Sequence, residues 1–542
     1  MPGPTTAKDA RLLPRWTRHD PFDVAAWLLL AALLAVALLT FRDYSISNDE
    51  EVQNRYGELI LSYYASGFAD RGVFAYKNLY LYGGLFDVVA ILFGRILPLD
   101  IFVIRHLLCA LIGIGGIAAV WATARLIAGP RAGLIAAVAL TVCGPWFGSM
   151  FNHTKDIPFA AAMMGAFYFL LRAARDLPRP RLLHLVLFGL LLGAALGQRA
   201  LALLVLVYVP IVIALRLPQP VTAATAARFL AGSLLLFLPA CALGYLIMIA
   251  AWPWAALSLF NPVRALFAFA HFHYPIKTLL FGETYLMADV PRWYVPVYLA
   301  IKLPLAVWFG AAFALLMAFV RGWTDVRARE TAFIAFTAVF PVACQVISHG
   351  PSFSGLRHFL FVLPPIAVLA GIGFDAMLTW FEARRHALAG AVYVLLAGAL
   401  AWPASVMVRL HPYESLFFNP LAGGLYGTAQ RYDTDYWVNG MHEMVVELEN
   451  YLDGEKRAVP RFYFVAVCGE RLAFEKEAEA RKGRLRWATD TDAADFFIAP
   501  THQGCHNAID GNVILTIERM GVAIGVIKDR RSITQPHIAR GN

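Results

Sequence analysis

Hydrophobic residues along this chain come in long, nearly unbroken runs: Val24–Phe41, Ile101–Trp121, Leu182–Leu196, Phe229–Ala251 and Leu388–Met407 among them. Each approaches or reaches the roughly 20 apolar residues that a helix needs to cross ~30 Å of hydrocarbon. A core helix of a water-soluble protein rarely stays apolar for so long. The pattern predicts a polytopic α-helical membrane protein with about eleven transmembrane helices. Two stretches near the start break the rule. Glu51–Gly67 (EVQNRYGELILSYYASG) gathers its apolar and aromatic positions on one helical face, as a helix lying in the interface would. Tyr80–Leu97 is only semi-apolar and contains Asp87, Arg95 and the pair Gly83-Gly84. After the last run the pattern changes again. Glu447–Asp529 carries many charges, with short β-like runs at Arg461–Val467, Asp495–Ile498, Val513–Glu518 and Val522–Asp529 and helical stretches at Met441–Tyr451 and Leu472–Arg481. That reads as a small α/β domain.

Composition sharpens the first conclusion. The 542 residues are 59% hydrophobic and only 15% charged, against about 25% charged in soluble domains, and the mean hydropathy is +0.60. The formal net charge of +9 does not imply a nucleic-acid partner, because the basic residues sit in short loops between apolar runs: Arg125 and Arg131; Arg172, Arg175, Arg179 and Arg181; Arg216 and Arg228; Arg321, Arg327 and Arg329; Arg384 and Arg385. Positive loops stay in the cytosol. If Tyr80–Leu97 crossed the membrane, all of them would face outward, so this stretch is expected to be juxtamembrane or re-entrant. Lys8, Arg11, Arg15 and Arg18 precede the first run, which is too long for a signal-peptide core and has no small-residue cleavage site after it. The expected plan is therefore a cytosolic N-terminal segment 1–23, a transmembrane module 24–408 with a first outer loop 42–100, a connector 409–439, and an outer-face α/β domain 440–542. Ala, Leu and Arg usage is compatible with a bacterial inner membrane, which would make the C-terminal domain periplasmic. Cys109, Cys143, Cys241 and Cys344 fall in membrane helices as inert packing. Cys468 and Cys505, the two in the tail, can pair on an outer face where disulfides persist.

This topology brings Arg42–Asp100, Phe151–Asp156, Gln198–Arg199, Trp252–Pro296 and Ser348–His358 to one face, and their polar residues are the candidate chemistry. Asp49, Glu50 and Glu51 follow one another just past the first helix. Carboxylates beside the hydrocarbon edge must be solvated, paired or used, although acids also suit the start of the next helix. Lys77 follows in the same loop among Tyr76, Tyr80 and Tyr82, which suit an interfacial aromatic belt. His153, Lys155 and Asp156 gather at the mouth of two apolar helices, with Pro158 fitting a first helical turn. Trp252–Pro296 is long enough for a lid and holds His271 and His273, a weak His-x-His metal signal with no clear third ligand. Arg357 and His358 open the last-but-one helix, where a guanidinium is suited to a phosphate at the interface. A carboxylate group (Asp49, Glu50, Asp156) thus faces a basic group (Lys77, Lys155, Arg357) at the membrane boundary, an arrangement suited to a phosphate-bearing lipid.

These residues also resemble a known group. The pair Asp49-Glu50, the stretches Arg55-Tyr56-Gly57-Glu58 and Ala65-Ser66-Gly67, Lys155-Asp156-Ile157-Pro158, Trp293-Tyr294-Val295-Pro296-Val297, Gly355-Leu356-Arg357-His358, and His411-Pro412-Tyr413-Glu414 through Asp435-Tyr436-Trp437 occur in this order. In order and placement they resemble the GT-C glycosyltransferases, in the branch of protein O-mannosyltransferases and the lipid A aminoarabinose transferase, across roughly Asp20 to Asn439. The resemblance implies transfer of a sugar from a polyprenyl-phosphate carrier to a glycan, lipid or protein acceptor on the outer face. It also implies Asp49 as catalytic base, Asp156 as the acidic residue of the second outer loop, and Lys77 as the lysine near the carrier phosphate. Two features depart from the aminoarabinose transferases: the longer spacing from Asp49-Glu50 to Arg55-Tyr56, and Tyr76 where those enzymes have a glutamate. The second departure weakens the case for a divalent metal, which stays possible but unassigned.

The residues support the same chemistry directly. A sugar phosphate already has a stabilised leaving group, so the reaction needs a base for the acceptor proton and cations for the departing phosphate. Asp49 is expected to be the base, with Glu50 and Asp156 beside it. Lys77, Arg357 and Lys155 are expected to hold the phosphate, and Arg55, Tyr56, His153, His271, His273 and His358 to shape the substrate site or its lid. Two other readings compete. A lipid or solute transporter would place its charges at midplane within a repeat, and no repeat is visible. A ligase moving a whole glycan would share the face and the cations but not the two acid-bearing pairs in this order.

Overall fold

The computed structural model describes residues 20–217, 222–272, 274–455 and 462–533. His273 and residues 1–19 of the N-terminal segment lie outside the described residues. Among the described residues, seven helices are long and apolar enough to cross a membrane, and nine spans result if two bent pairs, Pro130–Thr141 with Gly144–Asn152 and Tyr294–Lys302 with Leu305–Arg321, are each one crossing. The difference from about eleven falls on Leu182–Leu196 and Ala200–Ala214, apolar helices too short to reach the spanning length. Leu85–Gly94, the core of the semi-apolar stretch, is a ten-residue helix. At 1.5 Å per residue it covers roughly half the hydrocarbon thickness, which suits a segment that does not cross.

The bundle is organised from the inside outward. Asp156–Arg175 and Arg357–Arg384 are its innermost spans, with 83% and 89% of their apolar windows buried, whereas the first helix, Pro21–Thr40, has 22% buried and turns most of its surface to lipid. The two innermost spans begin at Asp156 and at Arg357. Their entries are therefore packed on all sides by neighbouring elements.

The segments expected on the outer face fold over these entries. Helix Glu50–Ala65 buries Glu50, Gln53, Tyr56, Gly57 and Ile60, a 3–4 spacing that defines a single face. The stretch 252–296, expected as a lid, contributes a hairpin of β1 (Lys277–Leu280) and β2 (Glu283–Leu286). Asp433 of the connector holds it in place, accepting from Thr278 Oγ1, from Leu279 N at 3.1 Å and from Tyr294 Oη at 3.1 Å. The C-terminal domain is a five-stranded sheet of β3 (Tyr463–Val467), β4 (Leu485–Trp487), β5 (Phe496–Pro500), β6 (Asn512–Arg519) and β7 (Val522–Asp529) in the order β4-β3-β5-β7-β6. β3 pairs in parallel with β4 and β5, while β5–β7 and β7–β6 are antiparallel. Every residue of the central strand β5 is buried, which gives it a continuous apolar run with no alternation. Cys468 and Cys505 form a disulfide beside β3. The domain is tied to the connector through Tyr413, whose hydroxyl donates to Glu443, and through Arg519, whose Nε donates to the His411 carbonyl at 3.1 Å.

Candidate active site at the entries of the two innermost helices

Asp49 is the N-cap residue of helix Glu50–Ala65, yet its side chain makes no capping hydrogen bond. It forms an ion pair with Arg357. Arg357 also approaches Asp156, Nε to Oδ2 at 3.3 Å, and Asp156 pairs in turn with Arg199. Two carboxylates and two guanidinium groups thus alternate across the entries of the innermost spans. Of the four, Asp49 has the most exposed side chain, at 35%, against 12% for Arg357 and 4% for Asp156.

The local chain explains this convergence. Arg357 follows a tight turn in which Ser354 and Gly355 both have positive φ. The amide of Gly355 donates to Tyr294 Oη at 2.9 Å, so the motif containing Tyr294 anchors both the Arg357 turn and Asp433. On the other side, Gly83 packs against the carbonyl of Gly197 so closely that a Cβ would lie 2.1 Å from the oxygen. Only glycine permits that approach, and it sets Tyr82 beside Arg199, whose guanidinium is 5.9 Å from the Tyr82 ring centre.

Lys155 completes the group and differs from its neighbours. Its ammonium is buried against the face of Tyr82, 4.2 Å from the ring centre, and among the described residues no carboxylate lies within ion-pair distance of it. Burial pushes its pKa down to about 8, partly offset by Asp87 and Asp49. Arg357 also stacks on Trp437 of the connector at 4.1 Å, so the connector forms one wall. His153 is fully enclosed nearby, its pKa pushed down to about 3, chiefly by burial.

The other expected site residues take different places. Glu50, next to Asp49 in sequence, turns into the protein. It accepts from Ser47 N at 2.8 Å, hydrogen-bonds His106 Nε2 at 3.0 Å and lies 3.6 Å from Arg105 Nε. Arg105, wholly buried, also donates to Asp87 and Thr154 at 2.9 Å and to Gln53 at 3.2 Å. Lys77 is exposed at positive φ, with its ammonium 5.8 Å from the Tyr76 ring centre. Its charge is felt by Glu470 of the C-terminal domain, whose pKa is raised by burial and by Glu51 and Asp49. Arg55 points outward and pairs with Glu58 at 2.7 Å, whereas Tyr56 is buried and donates to the carbonyl of Tyr82 at 3.0 Å. His358 lines a cavity of about 160 Å³ with Tyr82 and Arg199. His271 is exposed, and its ring Nδ1 bonds the Phe267 carbonyl at 3.0 Å. Among the described residues no group of three or more His, Cys, Asp or Glu comes together as a metal set.

Sequence reasoning had no role for Arg199, Tyr82, Arg105 or Trp437. Arg199 carried a signal, as the lone charge in an outer turn between two apolar runs. Trp437 stood in a quoted motif without an assigned role. Arg105 and Asp87 carried the weaker signal of charges beside or inside apolar stretches.

Comparison with known proteins agrees with the resemblance drawn from the motifs. Residues 86–245 match the profile of the dolichyl-phosphate-mannose-protein mannosyltransferases. That window contains Arg105, Lys155, Asp156 and Arg199 but neither Asp49 nor Arg357. No curated protein matches. Among solved structures, ArnT from Cupriavidus metallidurans bound to undecaprenyl phosphate is 15% identical, covering 93% of this chain and 98% of that one with a TM-score of 0.47. The apo oligosaccharyltransferase of Archaeoglobus fulgidus is 12% identical, covering 87% of this chain and 65% of that one, also with a TM-score of 0.47. Both scores are too low to transfer site geometry. Across residues 86–245 the chain carries the sequence pattern of the dolichyl-phosphate-mannose-protein mannosyltransferase family, within the glycosyltransferase superfamily that its motifs resemble.

Proposed function

We propose that this protein is a membrane glycosyltransferase that moves a sugar from a polyprenyl-phosphate-linked donor to an acceptor hydroxyl on the outer face of a bacterial inner membrane, with inversion. The observation that carries this reading is the meeting of Asp49, Asp156, Arg199 and Arg357 at the entries of the innermost helices, with Lys155 beside them as a buried cation lacking a carboxylate among the described residues. In the proposed orientation the N-terminus is cytosolic, and the connector 409–439 and domain 440–542 lie in the periplasm.

The reaction follows from these groups. The donor phosphate binds to Lys155 and Arg357, whose positive charges face it at the entries of the two innermost helices. Lys77 attracts it at the exposed edge. Asp49 accepts the acceptor's hydroxyl proton as the oxygen bonds to the anomeric carbon. The bond from that carbon to the phosphate oxygen breaks, its electron pair stays on the phosphate, and the cations stabilise the charge. Asp156 holds Arg199 and Arg357 in place, and Glu50 fixes the start of the helix that Asp49 caps. The direct test is purified protein in detergent with radiolabelled polyprenyl-phosphate sugars and a membrane extract as acceptor source. Label passing to the extract supports the proposal. No label from any hexosyl or pentosyl donor, combined with donor flipping in vesicles, replaces it with the transporter reading.

The Lys155 environment adds a pH dependence. An amine with a pKa of about 8 is charged below that pH and neutral above it, so donor capture weakens as pH rises through about 8. The expected result is a fall in kcat/KM for the donor on the alkaline side, since kcat/KM reports the free enzyme. Lys155→Arg, which stays charged, removes that limb. An alkaline limb unchanged in Lys155→Arg assigns it to another group.

A further inference from the structure

In and around the ion-pair group, the buried polar atoms without a hydrogen-bond partner among the described residues include both ring nitrogens of His153 and Nε1 of Trp437, as well as Nε of Arg199 and Oε1 of Gln198. The two rings meet edge to face with centroids 5.3 Å apart, and the Tyr436 ring lies 5.9 Å from His153. Buried donors and acceptors are nearly always satisfied, and an unmet one is costly. A corner that served only for packing would be filled more cheaply by Phe or Leu. Trp437 is also the residue on which Arg357 stacks, and Arg357 holds Asp49. The unpaired atoms of His153 and Trp437 therefore lie one ring away from the proposed phosphate cation.

Resting on the transferase reading above, we infer that His153 and Trp437 form the wall that recognises hydroxyl groups of the donor sugar. The indole N–H is a donor only, whereas a neutral imidazole offers one donor and one acceptor. Together they match adjacent hydroxyls of a neutral sugar. Burial keeps His153 uncharged above about pH 3, so it presents an acceptor as well as a donor at working pH. The indole ring stays in place under Arg357 and couples sugar position to phosphate position.

The test begins with the radiolabelled polyprenyl-phosphate hexose or pentose that the wild-type protein turns over, followed by each of its monodeoxy analogues. A site built to bond a hydroxyl rejects the analogue lacking it, so one or two monodeoxy donors should lose roughly tenfold or more in kcat/KM. In His153→Phe and in Trp437→Phe the parent donor falls by a similar factor, and the deoxy donor falls no further. Trp437→Phe removes the N–H together with one ring of the indole but keeps an aromatic face for Arg357, and its unfolding midpoint, measured alongside, separates recognition from folding. Discrimination undiminished in both variants, with transfer intact, means that these atoms hold buried water and overturns the inference alone. Absence of transfer from every donor by the wild type overturns the transferase reading and this inference with it.

Discussion

Asp49→Asn should lower the rate of sugar transfer by about 10²–10⁴-fold, the usual worth of a positioned general base, while leaving donor binding as tight as before or tighter. The two halves of this result have different causes. Asparagine keeps the size of the side chain but cannot take the acceptor's proton, so the chemical step slows. In the structure, however, Asp49 is paired with Arg357, and a carboxylate neutralised in this way is a weak base. The donor phosphate is a better partner for the guanidinium. On the proposed mechanism, its arrival draws Arg357 away and releases Asp49 as the acceptor's base. Removing the Asp49 charge removes the competitor for Arg357, which is why binding is not expected to suffer. The measurement is single-turnover transfer beside equilibrium binding of the same labelled donor. Turnover near wild type rules out Asp49 as the base. Loss of binding together with turnover assigns Asp49 to positioning Arg357 or a metal for the phosphate.

Much of this arrangement can be read in the sequence because a membrane constrains it so strongly. Backbone polar groups must be satisfied within each segment, so the long apolar runs could only be helices. The placement of basic loops then selected which short segments share a face, and that was enough to bring Asp49, Asp156 and Arg357 into one candidate group. What the sequence could not show is how adjacent residues divide their work. Asp49 and Glu50 look equivalent as a pair of acids, yet the helix that begins at Glu50 turns one toward the open site and the other inward to Arg105 and His106. Tyr82 looked like a member of an aromatic belt. It lies against Lys155 because Gly83 packs on Gly197, a contact made by residues more than a hundred positions apart. Three-residue β4 was too short for its alternation to register. The match over 86–245 also omits both Asp49 and Arg357, so the pair at the centre of the site is joined only in three dimensions.

Arg105→Met is expected to destabilise the protein more than any substitution in the open site, by about 3–5 kcal/mol, because it leaves buried carboxylates without their cation. Arg105 is fully buried and bonds Asp87, Gln53 and Thr154 while facing Glu50. Arg55, by contrast, makes an exposed pair with Glu58 one turn further along the same helix. Arg55→Ala should leave the unfolding midpoint where it was, since such pairs are screened by water. Thermal unfolding in detergent, followed by intrinsic fluorescence, compares the two. A midpoint for Arg105→Met equal to that of Arg55→Ala refutes the buried-charge account. The triple replacement Arg105→Met, Glu50→Gln, Asp87→Asn should recover part of the loss, because it removes the stranded charges as well as their partner. Activity need not recover with stability. The amide introduced by Glu50→Gln can still accept from the Ser47 N–H, but the charged contacts with Arg105 and His106 that fix the first turn of the Asp49 helix are gone. A variant restored in stability and still slow in transfer separates the placement of the base from the folding of the site around it.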